Sequence, residues 1–191
     1  MDKVRVGYAL TGSFCTFAAS FDAAERLIKR DYELTPIMSL SAYEISTRFG
    51  SAQDNRTRLE ALTGRSIIHT IEDAEPIGPK RMFDILVVAP CTSNTLAKLA
   101  LGVNDTPVTM AVKSHVRNQR PVVIAVSTND ALAAAAKNLG ALQSRKNYYF
   151  VPYRQDDYLL KPFSMVTDFG QLERTVELAL SGIQVQPMVF A

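Results

Sequence analysis

Two runs of this chain, residues 85–89 and 122–126, contain only apolar side chains. A strand with one wet face alternates polar and apolar residues; a strand covered on both faces need not. Such runs belong in the middle of a parallel sheet lying between layers of helix. The flanking patterns agree. Residues 4–10 form a short apolar run stopped by Thr11-Gly12, after which Phe14, Phe17, Phe21, Ala24, Leu27 and Ile28 recur at helical spacing. Residues 33–40 read as a second strand, 66–71 as a third and 148–151 as the last. Residues 53–62 read as a helix closed by Gly64. Leu96, Leu99, Ala100 and Val103 mark a helix behind the 85–89 run, and Thr106-Pro107 reads as an N-cap with proline at the first helical position. Residues 131–142 are rich in alanine and leucine and read as helix. Leu172, Val176, Ala179 and Leu180 mark a closing helix. Residues 74–81, with Pro76, Gly78 and Pro79, read as a loop, and 153–162 as irregular. Strands alternating with helices give βαβ units and an α/β fold with a mainly parallel sheet.

The 191 residues fit one domain, spanning 1–191. The net charge of +2, without a basic stripe, gives no nucleic-acid footprint. No apolar run is long enough to cross a bilayer, and the strand pattern begins at Val4 with no signal peptide before it. Two cysteines are too few for a disulfide scaffold, which points to a reducing, cytoplasmic setting.

Two short segments carry the candidate site. Thr11-Gly12-Ser13 and Pro90-Cys91-Thr92-Ser93-Asn94-Thr95 each follow an apolar run and each open a helix. If their strands are neighbours, the segments face each other across the crevice where ligands of open α/β sheets bind. A helix start offers backbone N–H groups and a positive dipole end to a phosphate. Gly12 lets the anion approach, and Ser13 and Thr16 add hydroxyls. An ordinary strand-to-helix turn capped by Ser13 is the alternative. In the second segment, four consecutive hydroxyl or amide side chains exceed what one helix cap needs, and they suit the polar edge of a ring.

Several chemistries are excluded by what is missing. There is no G-x-G-x-x-G fingerprint, and the second strand ends at Ser39-Leu40-Ser41 without the acid that grips a ribose hydroxyl. Gly7 and Gly12 have P-loop spacing, but Ser13 stands where that motif needs lysine. A monophosphate near Gly12, Ser13 and a serine of the second strand's end fits better than a dinucleotide or a triphosphate. His69 and His115, the only histidines, have no partners at metal-ligand spacing, so no metal site is expected. Cys15 and Cys91 read as small apolar packers, with a redox pair across the crevice as the lesser alternative.

The segment from Ala89 to Asp105 resembles the Pro-Ala-Ser-Ala-Asn-Thr region of the flavoprotein family, the homo-oligomeric flavin-containing cysteine decarboxylases, and Thr11-Gly12-Ser13 resembles that family's phosphate loop. Five further stretches, 11–16, 47–50, 74–80, 125–132 and 161–166, resemble the branch formed by the B subunits of dipicolinate synthases. The resemblance implies a single Rossmann-like three-layer α/β/α sandwich assembled as trimers or multiples. It implies a flavin mononucleotide at subunit edges, its phosphate on Gly12, Ser13 and Ser39 or Ser41, its ring bordered by Pro90, Thr92, Ser93, Asn94, Thr95 and Ser127. It further implies a dehydrogenase partner subunit carrying NAD(P) and a small dicarboxylate substrate oxidised during sporulation. Arginine and lysine bind carboxylates; of the loop cations Arg48, Lys80, Arg81, Arg154 and Lys161, the first expectation is Arg48 and Lys161, each in a resembling segment. The decarboxylase pattern is broken: the chain has no Trp, no Pro-x-Met-Asn, and no histidine just before Pro90. An oxidoreductase subunit is therefore the first expectation, a non-catalytic partner of the dehydrogenase the second, and a decarboxylase the third.

Overall fold

The computed structural model describes residues 3–190. A seven-stranded sheet forms the middle layer. Its strands are β1 (Arg5–Leu10), β2 (Glu33–Met38), β3 (Ile85–Cys91), β4 (Val122–Thr128), β5 (Tyr148–Phe150), β6 (Tyr153–Gln155) and β7 (Met165–Thr167). The helices are α1 (Phe17–Lys29), α2 (Leu40–Glu44), α3 (Ala52–Thr63), α4 (Ile71–Ala74), α5 (Ser93–Leu101), α6 (Pro107–Val116), α7 (Ala136–Gln143) and α8 (Leu172–Leu180). Strands run in the order β2-β1-β3-β4-β7-β6, with β5 also on β4. The pairs β1–β2, β1–β3, β3–β4 and β4–β5 are parallel. The short β6–β7 hairpin adds antiparallel to the carboxyl end of β4, through Ser127 and Thr128.

Every residue of β3 and the first six of β4 are buried, as apolar runs covered on both faces require. Alternate residues of the strands feed two cores. Tyr8, Leu10, Val87 and Ala125 face α1 and α8, while Ala9, Val88, Ile124 and Val126 pack with residues of α5, α6 and α7. The chain passes from β1 outward to β2 and returns on the other side to β3. The strand order therefore reverses between β1 and β3, whose carboxyl ends carry the two candidate segments.

Local chemistry explains where elements start and stop. Thr106 and Thr109 form a reciprocal capping box ahead of α6, with Pro107 at the first turn. Gly64 closes α3 with φ 66°. The second strand stops at Met38 because Ser39 becomes the N-cap of α2, its hydroxyl accepting from Ala42 N. Residues 66–71 do not form a strand. Only Ile68 pairs, in a single parallel bridge to Ile37, and Thr70 then caps α4 by accepting from Asp73 N. The stretch 74–81 is helical at its start, running from α4 into a 3₁₀ turn, Glu75–Ile77. The helix expected over 131–142 begins only at Ala136. Ala133 N and Ala135 N donate to Asp130 O and Leu132 N donates to Phe163 O, which holds 130–135 in turns. No helix among the described residues is long and apolar enough to cross a membrane.

Candidate functional site

Hydrogen bonds lock the ends of β1 and β3 together. Thr11 N and Thr11 Oγ1 both donate to Pro90 O, at 3.2 and 2.8 Å, and Thr92 N donates to Thr11 Oγ1 at 3.0 Å. The clasp continues to β4, where Ser13 Oγ donates to Ser127 O at 2.5 Å. Three neighbouring parallel strands thus present their carboxyl ends to one place.

A cavity of about 760 Å³ opens there, within the size range of small-molecule sites. Its walls come from distant parts of the chain: residues 12–16, 47–49, 92–93, 127–129, and positions between Asp156 and Val166. The starts of two helical segments face it, the 3₁₀ turn Phe14–Thr16 that leads into α1, and α5. The N–H groups of Gly12, Phe14 and Cys15 have no hydrogen-bond partner among the described residues. Unpaired N–H groups at a helix start form an anion-binding end.

Gly12 is shaped for close approach. A Cβ there would stand 3.0 Å from Ser41 Oγ, a tight contact that the serine hydroxyl would have to yield to. Ser41 is thereby placed beside the loop at Gly12. Ser39 sits behind it, 8% exposed, bonded to Ser41 Oγ at 3.1 Å and spent on the α2 cap.

The second segment divides. Thr92 lines the cavity, and its hydroxyl accepts from Thr95 N and donates to Thr95 Oγ1. Thr95 is buried behind it and Pro90 is buried at the strand end, its carbonyl holding Thr11. Ser93 lines the cavity with no hydrogen bond from its hydroxyl among the described residues. Asn94 is exposed on the first turn of α5 and is not among the lining residues. Four polar side chains in a row thus serve three purposes: cap, wall and surface.

Ser127 carries the strongest local signal. It is 4% exposed, it lines the cavity, and its Oγ is a buried hydroxyl without a hydrogen-bond partner among the described residues. Buried polar atoms are almost always satisfied, because an unsatisfied one costs the full desolvation of the group.

The two cations reach the cavity from distant parts of the chain. A tight turn joins Thr47 N to Gly50 O and Gly50 N to Thr47 O, and carries Arg48 and Phe49 at its tip, with the guanidinium 4.9 Å from the Phe49 ring centroid. Lys161 comes from the connection between β6 and β7 and pairs with Asp156 at 2.6 Å. That hydrogen bond, with the charge of Asp156 behind it, raises the Lys161 ammonium above its ordinary range. Asp156, Thr128 and Asn129 also line the cavity. Thr128 and Asn129 fall within the resembling stretch 125–132 without being singled out in it, whereas Asp156 lies in no such stretch.

Of the histidines and cysteines among the described residues, Cys15 alone lines the cavity. His69 stacks on Tyr43, with centroids 4.0 Å apart, and His115 is buried in the last turn of α6; neither lines the cavity. Cys15 is exposed at the cavity wall, while Cys91 is in the core, its thiol pushed far up by burial. Cys91 does not reach the crevice, so the two thiols do not face each other across it. No cluster of metal-ligating side chains occurs among the described residues.

The comparison with known proteins decides the ancestry. The model of the family described as Flavoprotein matches residues 1–174. The chain belongs to the flavoprotein family. Within it, the dipicolinate synthase B subunit of Bacillus subtilis (strain 168) is 44% identical over 185 residues, covering 97% of this chain and 92% of that protein. The crystal structure of the corresponding B subunit from Bacillus halodurans superposes with a TM-score of 0.90 at 37% identity, covering 100% of this chain and 99% of that one. The FMN complex of DmrB from Burkholderia xenovorans shares the fold, with a TM-score of 0.71 at 20% identity over 94% of this chain and 96% of that one. The α/β architecture of this flavoprotein is thus the Rossmann-like sandwich of its relatives.

Proposed function

We propose that this chain is the flavoprotein-like subunit of a dipicolinate synthase, taking part in the oxidation of dihydrodipicolinate to dipicolinate during sporulation. One observation supports this above the others. Four of the segments that resemble the dipicolinate synthase branch, 11–16, 47–50, 125–132 and 161–166, come from distant parts of the chain, and all four contribute to one cavity.

The residues present suit flavin mononucleotide. The unpaired N–H groups of Gly12, Phe14 and Cys15, at the positive end of α1, suit a phosphate, with the Ser41 hydroxyl beside them. Ser13 already donates its proton to Ser127 O, so its part is to fix the loop and to accept. The unpartnered hydroxyls of Ser127 and Ser93 suit the polar edge of the ring. Ser39, Thr95 and Pro90 act from behind, holding Ser41, Thr92 and Thr11 respectively. Asn94 is left for the face toward a neighbouring copy, in keeping with a homo-oligomer. The flavin, when bound, supplies a two-electron acceptor for a hydride. Arg48 and Lys161, which both line the cavity, receive the two carboxylates of the substrate and orient its ring. The sequence departs from the family's decarboxylase pattern in having no histidine just before Pro90, no Pro-x-Met-Asn and no Trp, which favours an oxidative role.

The proposal includes a second subunit, a nicotinamide-dependent dehydrogenase carrying NAD(P), and a cytoplasmic setting. Expressing each subunit alone and both together, and following dipicolinate formation, tests it. The expected outcome is a yellow protein whose dipicolinate output needs both chains. A colourless chain that cannot be reconstituted with flavin mononucleotide, beside a dehydrogenase fully active alone, would leave the proposal without support.

A further inference from the structure

The lining of the cavity holds two cations, Arg48 and Lys161, and one acid, Asp156. They are not equivalent. Arg48 is exposed and has no acidic partner among the described residues; its guanidinium rests on the Phe49 ring. Lys161 is already taken by Asp156 at 2.6 Å. An incoming ligand with one carboxylate finds Arg48 available. A second carboxylate meets a lysine that has its own carboxylate in place.

The backbone around this pair is fixed while the pair itself stays accessible. Asp156 N donates to Ser164 O, Lys161 N to Asp157 O, and Ser164 N to Lys161 O. Gln155 Nε2 donates to Pro162 O, and Asp157 Oδ1 caps Leu159 N and Leu160 N. Asp156 and Lys161 are therefore presented together from a braced loop, with side chains 37% and 56% exposed. Only side-chain torsions need to change for Lys161 to leave Asp156.

We propose that Asp156 is a resident competitor for the ligand's second carboxylate, and that a dicarboxylate binds by taking Lys161 from it. This rests on the reading of the cavity as the dicarboxylate site. Asp156 then acts as a specificity-determining residue: it weakens the hold on dianions while leaving monoanions untouched. The benefit is release. A product with two carboxylates between two unopposed cations would leave slowly, whereas Asp156 reclaims Lys161 as the product departs. Exposed ion pairs are weak, so the exchange is nearly balanced and the expected effect is modest, about two- to fivefold in affinity.

Titration calorimetry with pyridine-2,6-dicarboxylate and pyridine-2-carboxylate tests it, using the full chain and the variants Asp156→Asn, Lys161→Met, Arg48→Met and Asp156→Asn with Lys161→Met. Asp156→Asn is expected to bind the dicarboxylate about two- to fivefold tighter, with the monocarboxylate unchanged and the gain shrinking as salt rises. Lys161→Met is expected to weaken the dicarboxylate, and adding Asp156→Asn to it is expected to return only the small part due to the repulsion of the unpaired Asp156, not the wild-type affinity. Thermal melts confirm that each variant folds. If Lys161→Met weakens the dicarboxylate but Asp156→Asn leaves it unchanged or weaker, the competitor role is wrong while the cavity reading survives. If the wild type fails to bind the dicarboxylate, or neither Arg48→Met nor Lys161→Met changes its binding, the cavity reading itself falls and the competitor role falls with it.

Discussion

Replacing Ser127 by alanine separates a hydroxyl kept for a ligand from one kept for the fold. Ser127 Oγ is buried, lines the cavity and has no hydrogen-bond partner among the described residues. A buried hydroxyl in that state costs about 1–3 kcal/mol of desolvation with nothing returned. Ser127→Ala removes the cost and breaks no bond, because the backbone carbonyl that receives Ser13 Oγ is untouched. The unliganded variant should therefore gain about 1 kcal/mol or more. For a chain of this size that raises the melting temperature by about 2–4 °C per kcal/mol. The liganded protein should move the other way. A ligand that satisfies the hydroxyl recovers the desolvation cost in the wild type and finds nothing in the variant, so its affinity should fall by about 1–2 kcal/mol, roughly five- to thirtyfold. Melting with and without saturating flavin mononucleotide reads both effects, since ligand stabilisation tracks affinity. The two proteins should converge on filling: the variant is more stable when empty, and that advantage shrinks or is lost when flavin saturates both. A variant that melts lower when empty, with the flavin shift unchanged, would show that the hydroxyl serves the fold instead.

Three further perturbations act on named contacts. Burial holds the His115 imidazole down to about 4, while an unfolded histidine titrates near 6.5. The unfolded chain thus takes the proton first, and stability should fall by up to about 3 kcal/mol as pH drops from 6.5 toward 4. His115→Gln, which keeps a donor for Pro121 O, should flatten that limb in pH-dependent denaturation, and an unchanged slope would argue against it. Gly7 lies under the Phe83 ring, and a Cβ there would stand 2.6 Å from the ring's Cδ2. Gly7→Ala should cost about 1–3 kcal/mol by overpacking, partly recovered by Phe83→Leu, as read by urea unfolding. Thr106→Ala removes the half of the α6 capping box in which Thr109 N donates to Thr106 Oγ1, leaving Thr106 N on Thr109 Oγ1, and should cost about 0.5–2 kcal/mol in the same assay, with flavin retention unaffected.

What could be read from the sequence was what local chemistry or full burial decides. The apolar runs at 85–89 and 122–126 became β3 and β4 because each is covered on both faces. Thr106-Pro107 and Gly64 marked their helix ends because caps are settled by neighbouring residues. The failures have tertiary causes. Residues 66–71 have strand composition, but Thr70 can cap a helix and only Ile68 finds a pairing edge. The alanine-rich stretch from Ala131 favours helix, yet Asp130 O and Phe163 O draw its N–H groups into turns that tie it to the β6–β7 connection. Strands β6 and β7 have three residues each, too few to show a period. At the candidate site, Gly12, Ser13, Thr92, Ser93, Ser127, Arg48 and Lys161 all line the cavity. Asn94 and Thr95 sit in the same sequence run but outside it, because a helix start turns successive side chains in different directions. Asp156 escaped notice because nothing in a sequence says that an acid five residues from a lysine will pair with it across a loop.

The reading stands or falls with a phosphorylated flavin at the reversal point between β1 and β3. A crystal structure of the chain grown with flavin mononucleotide decides it. The phosphate is expected within hydrogen-bond reach of the Gly12 and Cys15 N–H groups, with a polar ring atom accepting from or donating to Ser127 Oγ. A flavin seated away from Gly12, with Ser127 Oγ still unpartnered, would overturn it.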